Sequence, residues 1–138
     1  MKDDETLVLI RYRLEQADES LKDAKALLDA TRSPRSIINR SYYAMFYAVL
    51  ALLQKVGKVP RKHSGAISLF DTEFVRKGLF AKELSKDLHA IFNLRQVSDY
   101  QIIEPVTLEE AETALKRAEY FVEAVRIHMK PAKNEKEA

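Results

Sequence analysis

The sequence predicts an all-α protein, an up-and-down bundle of about five helices. Only three glycines and four prolines occur in 138 residues, too few for the many turns of a β-sandwich or a barrel. Alanine, leucine, lysine and glutamate, which favour helix, dominate the composition. Apolar residues recur at helical spacing along most of the chain. We therefore predict one helical domain over residues 1–130 and a charged, disordered tail over 131–138.

The composition excludes several kinds of chemistry. There is no cysteine, hence no disulfide, no thiolate zinc site and no cysteine nucleophile. The three histidines lie on different predicted elements, without a carboxylate or second histidine at metal-ligand spacing, so we expect no metal and no cofactor. Neither a glycine-rich phosphate loop nor a GxSxG motif is present. The N-terminus, MKDDET, lacks an apolar signal core, which predicts a cytoplasmic protein.

The first and last helices share one pattern. The first is predicted from Asp3 or Asp4 to about Ala30, and the last opens at a capping box formed by Thr107 and Glu110 and ends before Pro131. In both, apolar residues alternate at spacings of three and four, which predicts that the two helices pack together. The residues of this pattern are Ile10, Leu14, Ala17, Leu21, Ala24 and Leu28 in the first helix, and Ala111, Leu115, Ala118, Val122, Val125 and Met129 in the last.

The second predicted helix, from Pro34 after a Ser33 cap to about Lys55, is the most apolar part of the chain. Its run YYAMFYAVLALL has 12 residues, too short to cross a bilayer, which needs about 20. A helix that is hydrophobic nearly all round must be central, or buried on one side by the fold and on another by a second subunit. Arg40, Tyr43 and Tyr47 share one stripe of it. This stripe is either the rim of the core or a cleft wall suited to stacking on bases and binding phosphate.

A basic loop, VGKVPRKHSG, follows. Ser64 is predicted to cap a third helix from about Gly65 to Lys77, which Gly78 ends in a left-handed conformation. No acidic residue occurs between Asp29 and Asp71. This interval is either a footprint for phosphate or an acidic partner, or a solvated basic face. It carries seven positive residues, Arg32, Arg35, Arg40, Lys55, Lys58, Arg61 and Lys62.

The fourth predicted helix, Leu84 to Tyr100, places an arginine where its pattern requires an apolar residue. Leu84, Leu88, Ile91 and Arg95 fall on one stripe. An ion pair with Asp99 one turn later would contribute only about 0.3–0.5 kcal/mol, too little to offset burial of the guanidinium. Arg95 is therefore predicted to lie at a subunit seam or in a cleft.

Four segments in this order resemble the HEPN family of prokaryotic helical domains: NRSYYAMFYAVLALL, KHSGAISLFDTEFVRKG, IFNLRQVSDY and EAVRIHM. The resemblance spans about Val8 to Met129. It implies an up-and-down bundle, a homodimer and a frequent partner, a minimal nucleotidyltransferase encoded alongside. Many members of the superfamily are metal-independent endoribonucleases, often toxins of toxin–antitoxin systems.

The active motif of that family is an arginine, a polar residue, three to five further positions and a histidine. Arg95 matches the arginine and Gln96 the polar position, but Tyr100 stands where the shortest spacing places histidine, and the next histidine is His128. Tyrosine, with an ordinary pKa of about 10, is a poor base at neutral pH.

Three functions remain open at this point. The first is a dimeric module that binds RNA or nucleotide within a toxin–antitoxin or nucleotidyltransferase pair. The second is an active endoribonuclease in which Arg95 stabilises the transition state while Tyr100 or Asp99 replaces the histidine. The third is a helical adaptor for an acidic protein. The candidate residues for RNA or nucleotide binding are Arg40, Tyr43, Tyr47, Lys58, Arg61, Lys62, His63 and Gln96, with Arg95 and Tyr100.

Overall fold

The computed structural model describes residues 2–100 and 106–130, with side chains placed for 4–96 and 106–130. These ranges contain no β-strand, and their helices form the up-and-down, all-α bundle that the sequence predicts. The predicted connector over 101–105 and the predicted tail over 131–138 lie outside the described residues. The helices are α1 (Lys2–Asp29), α2 (Pro34–Lys55), α3 (His63–Phe70), α4 (Lys82–Tyr100) and α5 (Leu108–Met129).

Helix α2 is central, as its all-round hydrophobicity predicts. It contacts each of the other four helices, α1 most extensively and α5 next. Helices α1 and α5 do contact each other, and the Arg126 guanidinium pairs with the Asp18 carboxylate between them. Helices α1 and α5 each pack more extensively on α2 than on each other. The reason is that the apolar surface of α2 is larger than the apolar row of either helix.

Small residues let α1 approach the rest of the bundle closely. Apart from Ile10, the buried residues of α1 are Ala17, Ser20 and Ala24. The distance between packed helices depends on the size of the side chains at the contact, so a row of small residues at this spacing gives a short interaxial distance.

The helix caps predicted at Ser33 and Thr107 are present, whereas Ser64 does not cap α3. The Ser33 hydroxyl accepts a hydrogen bond from the Ser36 amide (3.4 Å) at the start of α2. At the start of α5, the Thr107 hydroxyl accepts from the Glu110 amide and the Glu110 carboxylate accepts from the Thr107 amide, each at 3.0 Å. This reciprocal pair is the capping box.

The predicted third helix is wrong at its start and in its second half. Helix α3 begins at His63 rather than Gly65, and Lys62, which precedes it, has an extended backbone and no capping side chain. From Asp71 to Val75 the chain forms one π-helical turn. The Asp71 carboxylate accepts a hydrogen bond from the Ser85 hydroxyl (2.6 Å) and pairs with His89 (2.7 Å), both on α4. Asp71, which makes these tertiary bonds, is the residue at which the α-helix changes to the π-helical turn.

The same segment contributes apolar side chains to the core. Ile67, Phe70 and Phe74 are buried, and Gly78 has the expected left-handed backbone, with φ of +78°. No helix within the described ranges combines the length and apolar character needed to cross a membrane.

Candidate functional site

Arg95 of α4 lies against two tyrosine rings of α2. Leu84, Leu88 and Ile91 of its stripe are buried, and Arg95 itself is half-buried. Its guanidinium carbon, Cζ, lies 5.1 Å from the ring centroid of Tyr42 and 5.3 Å from that of Tyr43. Its Nη2 donates to the Tyr43 hydroxyl at 3.4 Å. Aromatic faces attract a guanidinium at such distances, which explains how the stripe accommodates a charge.

His63, the first residue of α3, contacts the same two tyrosines. The Tyr42 hydroxyl and His63 Nδ1 are 2.7 Å apart. The His63 and Phe46 rings are stacked, with centroids 4.0 Å apart and planes at 3°. The centroid of the His63 ring is 5.7 Å from that of Tyr42 and also from that of Tyr43. We call the group formed by Arg95, His63, Tyr42 and Tyr43 the Arg95–His63 site.

Burial sets the protonation states in this site. Burial, with a smaller contribution from the positive charge of Arg95, lowers the pKa of His63 below its ordinary value of 6.5. Burial raises the pKa of Tyr42 far above its ordinary value, against a smaller opposing effect of Arg95. At neutral pH the site therefore presents a neutral imidazole, a protonated phenol and a permanent guanidinium charge.

The predicted stripe Arg40, Tyr43, Tyr47 continues the site along α2. The Arg40 guanidinium carbon lies 5.2 Å from the Tyr43 centroid, and the Tyr47 and Tyr43 centroids are 5.8 Å apart. Arg40 also donates to the Asn39 side-chain oxygen, at 2.9 and 3.3 Å. All three stripe residues are half-buried at the rim of the core. This burial fits the interpretation of the stripe as the rim of the core, and the guanidinium carbons of Arg40 and Arg95 lie 5.2 and 5.3 Å from the Tyr43 ring.

A cavity of about 440 Å³ adjoins this end of the stripe. It is lined by Leu27, Arg35, Ser36, Asn39 and Arg40, so two of its five lining residues are arginines.

The acid-free interval does not form one patch. Arg35 and Lys55 stand about 30 Å apart on α2, at 1.5 Å per residue. Lys58 stays at the far end, where its amide donates to the Leu53 carbonyl at 2.9 Å. The contacts of His63 return the chain to the middle of α2, so the exposed Arg61 and Lys62 directly precede the Arg95–His63 site.

Two groups of predicted residues remain without a described role. Gln96 is exposed on α4. The side chains of Asp99 and Tyr100 lie outside the described residues, although α4 itself runs through Tyr100.

Sequence reasoning missed Tyr42 and Phe46, which both touch His63. They belong to the apolar run of α2, where periodicity identifies them only as core. One signal was available for Tyr42, because a buried phenol requires a hydrogen-bond partner. His63 belongs to the basic loop by its place in the sequence, whereas in the structure it lies against the same two tyrosines as Arg95.

Nearly the whole chain is similar to known proteins. The HEPN domain profile matches residues 10–128. A protein of Thermotoga maritima named "UPF0332 protein" is 39% identical over 117 residues, which cover 85% of this chain and 88% of the relative. "Putative toxin MJ0605" of Methanocaldococcus jannaschii is 35% identical over 121 residues, covering 88% and 89%. A second protein of that organism, "Putative toxin MJ0142", is 31% identical over 116 residues, covering 84% and 78%.

Proposed function

This chain belongs to the HEPN family, and we propose that it is a toxin-like HEPN module that binds RNA or a nucleotide at the Arg95–His63 site. The observation that carries the proposal is the placement of the Arg95 guanidinium on the rings of Tyr42 and Tyr43. Guanidinium groups suit phosphate because they offer a planar fork of donors. Rim tyrosines beside them suit the stacking of unpaired bases.

The charges around the site support an extended ligand. Arg40 and Arg95 flank Tyr43 at 5.2 and 5.3 Å from its ring. Arg61 and Lys62 approach from the loop. A polynucleotide presents one phosphate per residue, so several separated cations fit it better than they fit a single anion.

The names of two relatives support the toxin-like role. Two relatives of similar length carry the word toxin in their names. We propose that this chain acts in the cytoplasm as a homodimer and as one component of a toxin–antitoxin or nucleotidyltransferase pair. An active endoribonuclease is the second candidate function, and the contact between His63 and Tyr42 beside Arg95 favours it.

Binding of a single-stranded RNA oligonucleotide, measured by fluorescence polarisation at several salt concentrations, tests the proposal. We expect affinity to fall steeply with salt, with a slope of about 0.7 per neutralised phosphate. Arg95→Ala should weaken binding and reduce the magnitude of that slope by about 0.7, the contribution of one phosphate.

Arg11→Ala is the matched control. Arg11 is exposed on α1, which among the described residues does not contact α4. Its removal should leave the slope nearly unchanged. The proposal would be overturned if the affinity did not change with salt concentration. It would also be overturned if a folded Arg95→Ala variant bound RNA as tightly as the unchanged protein.

A further inference from the structure

We propose that His63 is the proton-transfer residue of an RNA-cleaving site, in place of the histidine that this chain lacks after Arg95. The inference rests on the proposed function, because it requires RNA bound at the Arg95–His63 site. The reaction is metal-independent transesterification of RNA. The two reacting side chains are His63 of α3 and Arg95 of α4, and both contact Tyr42 and Tyr43 of α2.

The first support is the fixed orientation of the imidazole. The Tyr42 hydroxyl engages Nδ1 at 2.7 Å and the Phe46 ring stacks on the imidazole face at 4.0 Å. The base role requires the Nδ1-protonated tautomer, in which the Tyr42 oxygen accepts the Nδ1 proton and the lone pair of the neutral ring is on Nε2. A base oriented by a hydrogen bond at its other nitrogen is a recurring arrangement in proton-transfer sites.

The second support is the position of Arg95. Its guanidinium and the His63 ring lie within 5.7 Å of the same two tyrosine rings. Both groups lie against the same two rings, and the inference requires a phosphodiester that reaches from the guanidinium to the imidazole. Arg95 then stabilises the charge that develops on the phosphoryl oxygens, and His63 accepts a proton.

The third support is that His63 is the side chain of this site whose ordinary pKa, about 6.5, lies closest to neutral pH. It faces Tyr42 and Tyr43 of α2 and Arg95 of α4, and Lys62 precedes it in the chain. Burial and Arg95 lower the pKa of His63. Burial keeps Tyr42 protonated. Arginine does not lose its proton in proteins.

The step balances without a co-reactant. The ribose 2′-hydroxyl attacks the adjacent phosphorus, forming the O2′–P bond and passing its proton to His63 Nε2. The P–O5′ bond breaks, and the leaving oxygen takes a proton from water. The products are a 2′,3′-cyclic phosphate and a 5′-hydroxyl, and His63 returns its proton to solvent.

Cleavage of a single-stranded RNA by the full chain tests the inference, with binding measured in parallel. His63→Gln should lower the cleavage rate constant at saturating RNA about 100-fold or more, as expected for loss of acid–base catalysis, a much larger loss than its effect on affinity. The matched control is His89→Gln, an exposed α4 histidine that pairs with Asp71. It should leave both quantities unchanged. Replacing the scissile 2′-hydroxyl by hydrogen should stop cleavage.

The pH profile separates a catalytic role from a structural one. For the natural chain we expect the rate to rise with pH and level off, with its half-point below 6.5. Tyr42→Phe should lower the rate and move that half-point, because Tyr42 is the positioning residue.

The outcomes are distinguishable. RNA that binds but is not cleaved, or cleavage that persists in His63→Gln, overturns this inference and leaves the proposed binding function standing. Absence of salt-dependent binding overturns the proposed function itself.

Discussion

Ser41 is a buried hydroxyl in the most apolar helix of the protein. Its side chain is fully buried in α2, and its Oγ has no hydrogen-bond partner among the described residues. Burying a polar group without a partner costs about 1–3 kcal/mol. The Ser41 hydroxyl therefore lowers the stability of the fold.

We expect Ser41→Ala to raise the free energy of unfolding by about 1 kcal/mol, because it removes the unsatisfied hydroxyl and improves helix propensity. Urea denaturation followed by helical circular dichroism measures the change. Ser68→Ala, exposed on α3, controls for propensity alone and should have a smaller effect. A loss of stability in Ser41→Ala would show that the hydroxyl is satisfied.

At this same scale, helical phase alone identified Arg95 as an anomaly, because a charge on an apolar stripe can be counted along the sequence. It could not identify the partners. Tyr43 is 52 positions from Arg95, and His63 is 21 positions from Tyr42. Contacts across such separations depend on how helices pack, which local periodicity does not specify.

At the scale of elements, the α1 contact surface requires small side chains. Ala17 and Ala24 are fully buried, and the same helix exposes Ala26. A larger residue at the buried positions would push the helices apart.

Ala24→Leu should therefore lower the free energy of unfolding by about 1–3 kcal/mol, the usual effect of overpacking. Ala26→Leu adds the same atoms to the solvent side of α1 and should change it by less than about 0.5 kcal/mol. Thermal and urea unfolding of the two variants make the comparison. Equal effects would contradict close packing of this face.

The helices and the caps at Ser33 and Thr107 could be predicted from local signals, since each of these two side chains bonds within three residues of itself. The same kind of signal predicts a cap at Ser64, which is absent. The π-helical turn could not be predicted. Its first residue, Asp71, is bonded to Ser85 and His89, 14 and 18 positions later. The local sequence there reads as ordinary helix, and tertiary bonds accompany the change of period.

At the scale of the whole molecule, two histidines link stability to pH. Burial lowers the pKa of His63, helped by Arg95, and that of His128, helped by Lys55. In the unfolded chain both protonate as pH falls through about 6.5, while the folded chain still keeps them neutral. The unfolded state then binds more protons and is favoured.

Stability should therefore be full above pH 6.5 and decline as pH falls from there towards the folded pKa values. We expect a lower urea midpoint at pH 5.5 than at pH 7.5, a range above the ordinary pKa values of carboxyl groups. The double variant His63→Gln, His128→Gln should show a smaller difference between the two pH values. An undiminished difference in that variant would assign the effect to other groups.

The order in which a ribosome delivers this chain has a consequence for when the site exists. Helices α1 and α2, with Tyr42 and Tyr43, are synthesised first, and His63 follows soon after. Arg95 lies in the last third of the sequence, so a nascent chain lacks the guanidinium until most of the protein has been translated. A truncated product that stops before α4 contains Tyr42 and Tyr43 but lacks the Arg95 guanidinium. The RNA-directed activity that we propose for this site would thereby be absent from incomplete chains.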